Sequence, residues 1–463
     1  MSFSGLDIAV SALRAQQYAL NVTGHNIANA NTEGYRRQEP IFVTNNPAQG
    51  SYALGGGIIP QFGTGVVIQT IRRAQTDYLD GLIRRATDQL GMWQSRNEAL
   101  GQIESIFGEP GSMGLSGVLD QFWNSWEELA SSPDSLPARS AVVDAGVALA
   151  DRMRKLYGDL LSLQKHTDQT IADCVAQVNT LAQEIAKINN EITGVVSAGN
   201  SPNDLLDRRA LLIEELSKFV RVEVHGLNGS ELMLSIGGKN LVQGTHVNEI
   251  SVVQGTGAWS DIVWSNDNSQ VLINGGQIKG LLYVRDTTIQ ECIDSLNTIA
   301  SGLIEAVNAI YSEGRLPNGN PAGNFFASGR NASNIEVEWA LISDPRMVAT
   351  GTSGTIADNS IALNISDLRN QPVIDGETIG DAYNSLIARI GANAREAKNQ
   401  HSVQELSTHQ LKLQRASMSG VSIDEEMVNM IKYQQAYNAA ARIISIMDEM
   451  LDTIISQMGI SGR

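Results

Sequence analysis

Apolar residues recur at alternating steps of three and four at both ends of this 463-residue chain, and that period constrains its fold more than any other feature. Near the N-terminus the series is Phe3, Leu6, Val10, Leu13, Leu20 and Ile27, with Gln17 and Gly24 at the skipped positions. Near the C-terminus it is Ile423, Met427, Met430, Tyr437, Ile444, Leu451, Ile454 and Met458, weakened at Gln434 and Asp448. Three-four alternation is the coiled-coil period, so each end is expected to be a helix laid against other helices. Burying a large apolar side chain gains about 1.5–3 kcal/mol. Fixing the backbone costs roughly 1–2 kcal/mol per residue. Such a helix is marginal alone in water. Both ends are therefore expected to be mobile in a free subunit and ordered by association.

Composition narrows the partners. Lys and Arg number 33 against 50 Asp and Glu, a net charge of −17, which argues against a nucleic-acid partner. No apolar run is long enough to cross a bilayer, so no membrane insertion is expected. The N-terminus lacks the basic start and apolar stretch of a cleaved secretory signal. Cys174 falls on an apolar helical seam and Cys292 inside a second helical stretch, and both read as buried small apolar residues.

The period changes along the chain. The first helix is expected to stop at Asn29-Ala30-Asn31-Thr32-Glu33-Gly34, where Gly34 suits a left-handed cap. From Gln38 to about Ile71, a nearly uncharged stretch with Gly55-Gly56-Gly57 and Gly63-Thr64-Gly65 reads as loop and short strands. Helix returns from about Thr76 to Phe107, and Leu119, Phe122, Trp123, Trp126 and Leu129 mark a short aromatic helix. Asp134-Ser135-Leu136-Pro137 then opens a very long helix whose seam runs from Leu149 through Leu160, Ile171 and Ile185 to Val195. Beyond Gly199-Asn200-Ser201-Pro202 and a helix from Asp204 to Lys218, the period becomes two. Val220, Val222 and Val224 alternate with Arg221, Glu223 and His225, Asn228-Gly229 signals a hairpin, and Leu232, Leu234 and Ile236 resume the alternation. Helix resumes around Ile278–Ser312, an irregular stretch follows, and Thr378–Ser417 is a long, more polar helix. The expected fold is mainly α with an inserted β domain, in an elongated multi-domain chain. Its terminal helices pair as a coiled coil below a long-helix bundle and a distal β head.

Chemistry is not written into the chain. The histidines His25, His166, His225, His246, His401 and His409 are scattered, and no HExxH is present. The glycine patches fit neither a phosphate loop nor a dinucleotide fingerprint. Asp261 and Asp267 lack the spacing of a calcium loop and read as a hairpin turn. No GxSxG appears. No catalytic, cofactor-binding or metal-ligating residue is expected, and the chain reads as a non-enzyme.

The motifs at the two ends resemble a known family. Ala28-Asn29-Ala30-Asn31-Thr32-Glu33-Gly34-Tyr35 resembles the AN-x-x-T-x-G-Tyr motif of bacterial flagellar rod, hook and hook-associated proteins. Glu33 stands where that motif usually carries Pro, which loosens the turn but keeps Asn31, Thr32, Gly34 and Tyr35. At the other end Tyr433-Gln434-Gln435-Ala436-Tyr437 is similar to the C-terminal helix of the hook-associated members rather than the rod or hook subunits. Asp204-Leu205-Leu206-Asp207-Arg208-Arg209 and Gly280-Leu281-Leu282-Tyr283-Val284-Arg285-Asp286 agree. Ser422 with Glu425 forms a capping box that starts the last helix. That helix places Asn429, Lys432, Gln435, Arg442, Glu449, Thr453 and Ser456 on its wet side.

The resemblance implies a structural subunit at the hook–filament junction, outside the cell. It implies export through the type III apparatus without signal cleavage, a chaperone on the C-terminal helix, and a homo-oligomeric ring-like layer. Hook protein would lie below that layer and a second junction protein above. The domains expected are a terminal assembly domain of residues 1–38 plus 418–463, a bundle of 39–218 plus 277–314 and 376–417, and a β-rich head of 219–276 plus about 315–375. Another axial subunit, of hook or distal rod, is the alternative within the family. A soluble coiled-coil signalling protein is the alternative outside it.

Overall fold

A computed structural model describes residues 4–458 apart from 46–62, 110, 112–113, 227–231, 256 and 356. Phe3, the Gly55-Gly56-Gly57 run and the Asn228-Gly229 turn lie outside the described residues, as does the side chain of Met458.

The chain opens with α1 (Ser4–Ala28), then an antiparallel hairpin of β1 (Gln38–Thr44) and β2 (Val66–Arg73). The hairpin lies on α1. Gly65 permits this: its φ is +102°, and a Cβ there would run into Ser11 Oγ. Next come α2 (Asp77–Phe107), α3 (Leu115–Ser131) and α4 (Leu136–Ser197), whose 62 residues make it the spine. At 1.5 Å rise per residue α4 is roughly 93 Å long. Ser135 caps it by accepting from Ala138 N at 3.3 Å, with Pro137 in the first turn.

After α5 (Asn203–Phe219) the chain builds its β region. β3 (Glu223–His225), β4 (Met233–Ile236), β5 (Lys239–Gln243) and β6 (His246–Val247) form a four-stranded antiparallel meander, and β7 (Ile250–Gln254) pairs with β8 (Ser260–Trp264). Asp267 sits in the turn after β8 and pairs with Lys239 at 2.7 Å. The following helix is interrupted: α6 (Gly276–Tyr283) and α7 (Ile289–Tyr311) flank a π-helical turn at Val284–Thr288. Two short helices, α8 (Trp339–Ser343) and α9 (Ser360–Asp367), precede α10 (Ile379–Ser419) and α11 (Ile423–Met458). Thr378 caps α10, accepting from Asp381 N at 3.0 Å.

Two apolar cores share α4. The first gathers its N-terminal half with the end of α2, α3, α7, α9 and the start of α10 around Phe122, Trp126, Tyr311 and Phe325. The second gathers its C-terminal half with α5, α6 and the strands around Ile185, Leu216, Leu234 and Trp264. A polar layer stands between them. Buried Gln164 donates to Arg285 O at 2.8 Å, and the Arg285 guanidinium reaches Asp168 at 2.5 Å and Ser260 O at 2.9 Å. The π-helical turn carries that arginine. Both cysteines are buried, and burial pushes the Cys174 thiol up to about 11 and the Cys292 thiol up to about 12.

One expectation needs correcting. Residues 315–375 do not join β3–β8 in a common head: they form short helices and isolated bridges, and their apolar side chains enter the first core. The aromatic wall of α3 draws them in. Phe325 meets Trp126 edge-on at 5.3 Å, and a Cβ at Gly146 would lie 2.8 Å from its ring, so α4 is bare where the ring needs space.

Candidate assembly interface

The out-and-back path brings the two ends together: α1 lies against α11 and α2 against α10. What joins the pairs is the turn after α1. Asn29 holds it, its Nδ2 donating to His25 O at 3.0 Å and its Oδ1 accepting from Thr32 Oγ1 at 3.2 Å. Thr32 O then accepts from Tyr35 N at 3.2 Å, and Gly34 takes φ +79° three residues after Asn31. Gly34 therefore serves inside the turn, past the helix end at Ala28 rather than at it. The turn delivers Tyr35, Arg36, Arg37 and Gln38 into a polar hub.

Most partners in that hub come from distant parts of the chain. Arg36 is buried and grips Asp80 of α2 through both guanidinium ends, at 2.7 and 2.8 Å, while its backbone N–H donates to Asp207 of α5 at 2.9 Å. Arg73 of β2 donates to the other Asp207 oxygen at 2.8 Å. Arg37 reaches Glu426 and Glu425 of α11, each at 2.9 Å. Gln38 donates to Asp204 at 2.7 Å. Buried Asn26 accepts from Tyr35 Oη at 2.8 Å and Gln38 N at 3.0 Å, and donates to Gln38 O at 2.9 Å and Glu426 at 3.0 Å.

Electrostatics follow from this enclosure. Burial, with Asp204, Asp207 and Glu426 nearby, holds the Tyr35 phenol above its usual range. Burial also raises the Asp207 carboxyl, although Arg73 and Arg36 oppose it, and lowers the Arg73 guanidinium. Glu214 of α5 goes the other way. Burial opposes its charge, but Lys412 at 2.8 Å and Arg415 at 2.6 Å hold it below the usual carboxyl value.

Above the hub the helix pair divides the seam residues. The buried apolar positions of α1 are the small ones, Ala9, Ala15, Ala19 and Val22, whereas Leu6, Val10, Leu13, Leu20 and Ile27 are half-buried around them. Gly5 extends this close approach, since a Cβ there would strike Met447 Cε of α11. On α11, Met430, Tyr433, Tyr437, Ile444, Met447 and Leu451 are half-buried and Ala440 is buried, in steps of three and four; Tyr433 also packs on Phe42 of β1 at 6.0 Å. Ile423, Met427 and Ile454 point outward, 48%, 52% and 41% exposed, and Gln434 and Gln435 are exposed as well. The wet side of α11 is less polar than its sequence pattern implies. Between Lys432, Arg442 and Glu449 stand Ile431, Ile443, Ile446 and Met450, all exposed.

The capping box at Ser422 forms only in part. Ser422 Oγ accepts from Glu425 N at 3.5 Å, but the Glu425 carboxylate turns to Arg37. The charged guanidinium is a stronger partner for that carboxylate than a backbone N–H. Sequence reasoning also missed Asp80, Arg36 and Glu426 as interface residues. A faint signal existed: Asp80 neighbours Leu79 on the apolar face of α2, and a buried carboxylate demands a cation from elsewhere. Among the described residues no group of His, Cys, Asp or Glu is placed to hold a metal ion, and no helix is long and apolar enough to cross a membrane.

Known proteins are similar to this chain along its length. The helical domain of flagellar hook-associated protein FlgK matches residues 100–326. The flagella basal body rod protein family matches residues 6–36, and the flagellar basal body rod FlgEFG C-terminal family matches residues 414–458. Flagellar hook-associated protein 1 of Bacillus subtilis (strain 168) is 30% identical, covering 100% of this chain and 99% of its own. The protein of that name from Salmonella typhimurium is 27% identical over 97% and 98% of the two chains. The structure of the flagellar hook junction protein FlgK from Burkholderia pseudomallei superposes with a TM-score of 0.62 at 15% identity, over 74% of this chain and 100% of that one, which shows a shared elongated helical fold. With relatives aligned from end to end and both terminal segments matched, the chain belongs to the flagellar hook-associated protein 1 family.

Proposed function

We propose that this chain is a structural subunit of the flagellar hook–filament junction that assembles through α1 and α11 and adapts hook to filament. The observation that carries this reading is the outward stripe of α11: Ile443, Ile446, Met450 and Ile454 remain 41–55% exposed after α1 has covered the other side. Four large apolar side chains in water at steps of three and four call for a further helix. A second copy supplies one, and repetition builds a ring-like layer. The hub sets the angle at which the helix pair leaves the bundle, because Arg36 ties its root to α2 and α5.

The family likeness supports the remaining parts of the reading. Residues 1–38 with 418–463 act as the assembly domain, the long helices with 315–375 form the body, and 219–276 form the head. Hook protein lies on one side and the second junction protein on the other. The subunit is exported through the type III apparatus without cleavage and works outside the cell. An export chaperone covers the α11 stripe on the way, since the stripe must not aggregate before assembly.

The test separates assembly from folding. Ile446→Asp combined with Met450→Asp charges the outer stripe without touching the side that faces α1. The variant should be exported and fold as wild type, yet be missing from purified hook–filament structures. Normal incorporation would contradict the interface.

A further inference from the structure

Arg84 stands one turn after Asp80 on α2, the spacing at which a carboxylate and a guanidinium pair along a helix. That pairing is not available. Both Asp80 oxygens are held by Arg36, at 2.7 and 2.8 Å, and Arg415 lies 3.7 Å from one of them. Arg84 is left half-buried above Gly81, and among the described residues neither it nor exposed Arg85 has a hydrogen-bonded or ion-paired partner. A half-buried cation without a partner has given up hydration and received little in return.

The two arginines open onto a groove of about 670 Å³ between α2 and residues 221–225. Its third arginine, Arg221, is already satisfied by Asp88 at 2.7 and 3.1 Å, which leaves Glu223 as the remaining carboxylate of the lining. The groove is thus basic on a chain whose net charge is −17. Copies of so acidic a subunit repel one another unless basic surface on one meets acidic surface on the next. The groove begins one turn from Asp80 of the hub, at the root of the terminal helices.

We propose that this groove docks a carboxylate-bearing segment of a second copy of this chain; the inference rests on the assembly reading above. The groove is larger than a lone small anion needs, and its open side admits a side-chain cluster. Docking would give Arg84 and Arg85 the charge-assisted hydrogen bonds they lack within the subunit.

Arg85→Lys keeps the charge and adds an amine for zero-length carbodiimide coupling to carboxylates. Hook–filament structures purified from cells making this variant are coupled and digested, and peptides cross-linked through the new amine are identified by mass. That amine joined to an acidic residue of this sequence remote from the groove, with a yield that falls in high salt, is the expected result. Coupling only to Asp77, Asp88 or Glu223 of its own flank, or to a different flagellar protein, would overturn the docking proposal. Absence of this chain from the structures would overturn the assembly reading itself.

Discussion

Asn26 donates to the Glu426 carboxylate at 3.0 Å, a buried hydrogen bond between residues 400 positions apart. The same amide closes the turn after α1 through Tyr35 and Gln38. One side chain therefore reports to the N-terminal helix, the turn and the C-terminal helix together. This ties the two ends together at the root.

Asn26→Ala should loosen both ends at once. It orphans Tyr35 Oη and the Gln38 backbone and leaves Glu426 only Arg37, at about 1–3 kcal/mol for each buried group left unpaired. Amide exchange should speed up near Gln38 and in the first turn of α11 together. Exchange in the middle of α4 should stay as it was. A change confined to α1 would show that the ends are not coupled.

Arg36 and Asp80 should behave as a pair rather than as two contributions. Arg36→Met strips buried Asp80 of two short charged hydrogen bonds and leaves it Arg415 at 3.7 Å, so the cost should be at most about 3–5 kcal/mol. Combining it with Asp80→Leu removes both charges and should recover most of that loss, giving a large coupling in a double-mutant cycle read from urea midpoints.

The contrast between seam and hub shows what a sequence can display. The helical extents of α2 and α4 were legible because their apolar period is long, and the starts of α4 and α10 carry Ser135 with Pro137 and Thr378. The hub was not, since Arg36, Asp80, Asp207 and Glu426 come from four elements and no local period links them. The outer face of α11 was misread for a related reason. Period alone picks the stripe with most large apolar residues, whereas α1 packs through alanines that a hydrophobicity pattern ranks low. The segment 315–375 was opaque because its fold depends on Phe325 finding the α3 wall.

Protection in the free subunit should form a gradient. Val22, Thr23, Asn26, Arg36 and Gln38 are buried, whereas among the described side chains of α11 beyond Ile444 only Met447 and Leu451 are half-buried and the rest are exposed. Amide exchange should be slow across 22–38 and fast in residues 446–456. Uniformly fast exchange over 1–40 and 420–463 would mean that the hub does not persist without neighbours.

Acid should release the end of α10 through Glu214. Hydrogen bonds and charge from Lys412 and Arg415 overcome burial and depress its carboxyl below the ordinary value. A depressed carboxyl stabilises the fold above its unfolded value, about 4.3 for Glu. That stabilisation is lost as pH falls through the lower folded value. Asp207 has the opposite sign, because burial raises it and its contribution is lost as pH rises. The urea midpoint of the wild type should therefore drop more steeply below pH ~4.3 than that of Glu214→Gln, whose amide cannot titrate. Identical pH profiles for the two proteins would show that the Lys412–Glu214–Arg415 clamp does not secure α10 against the hub.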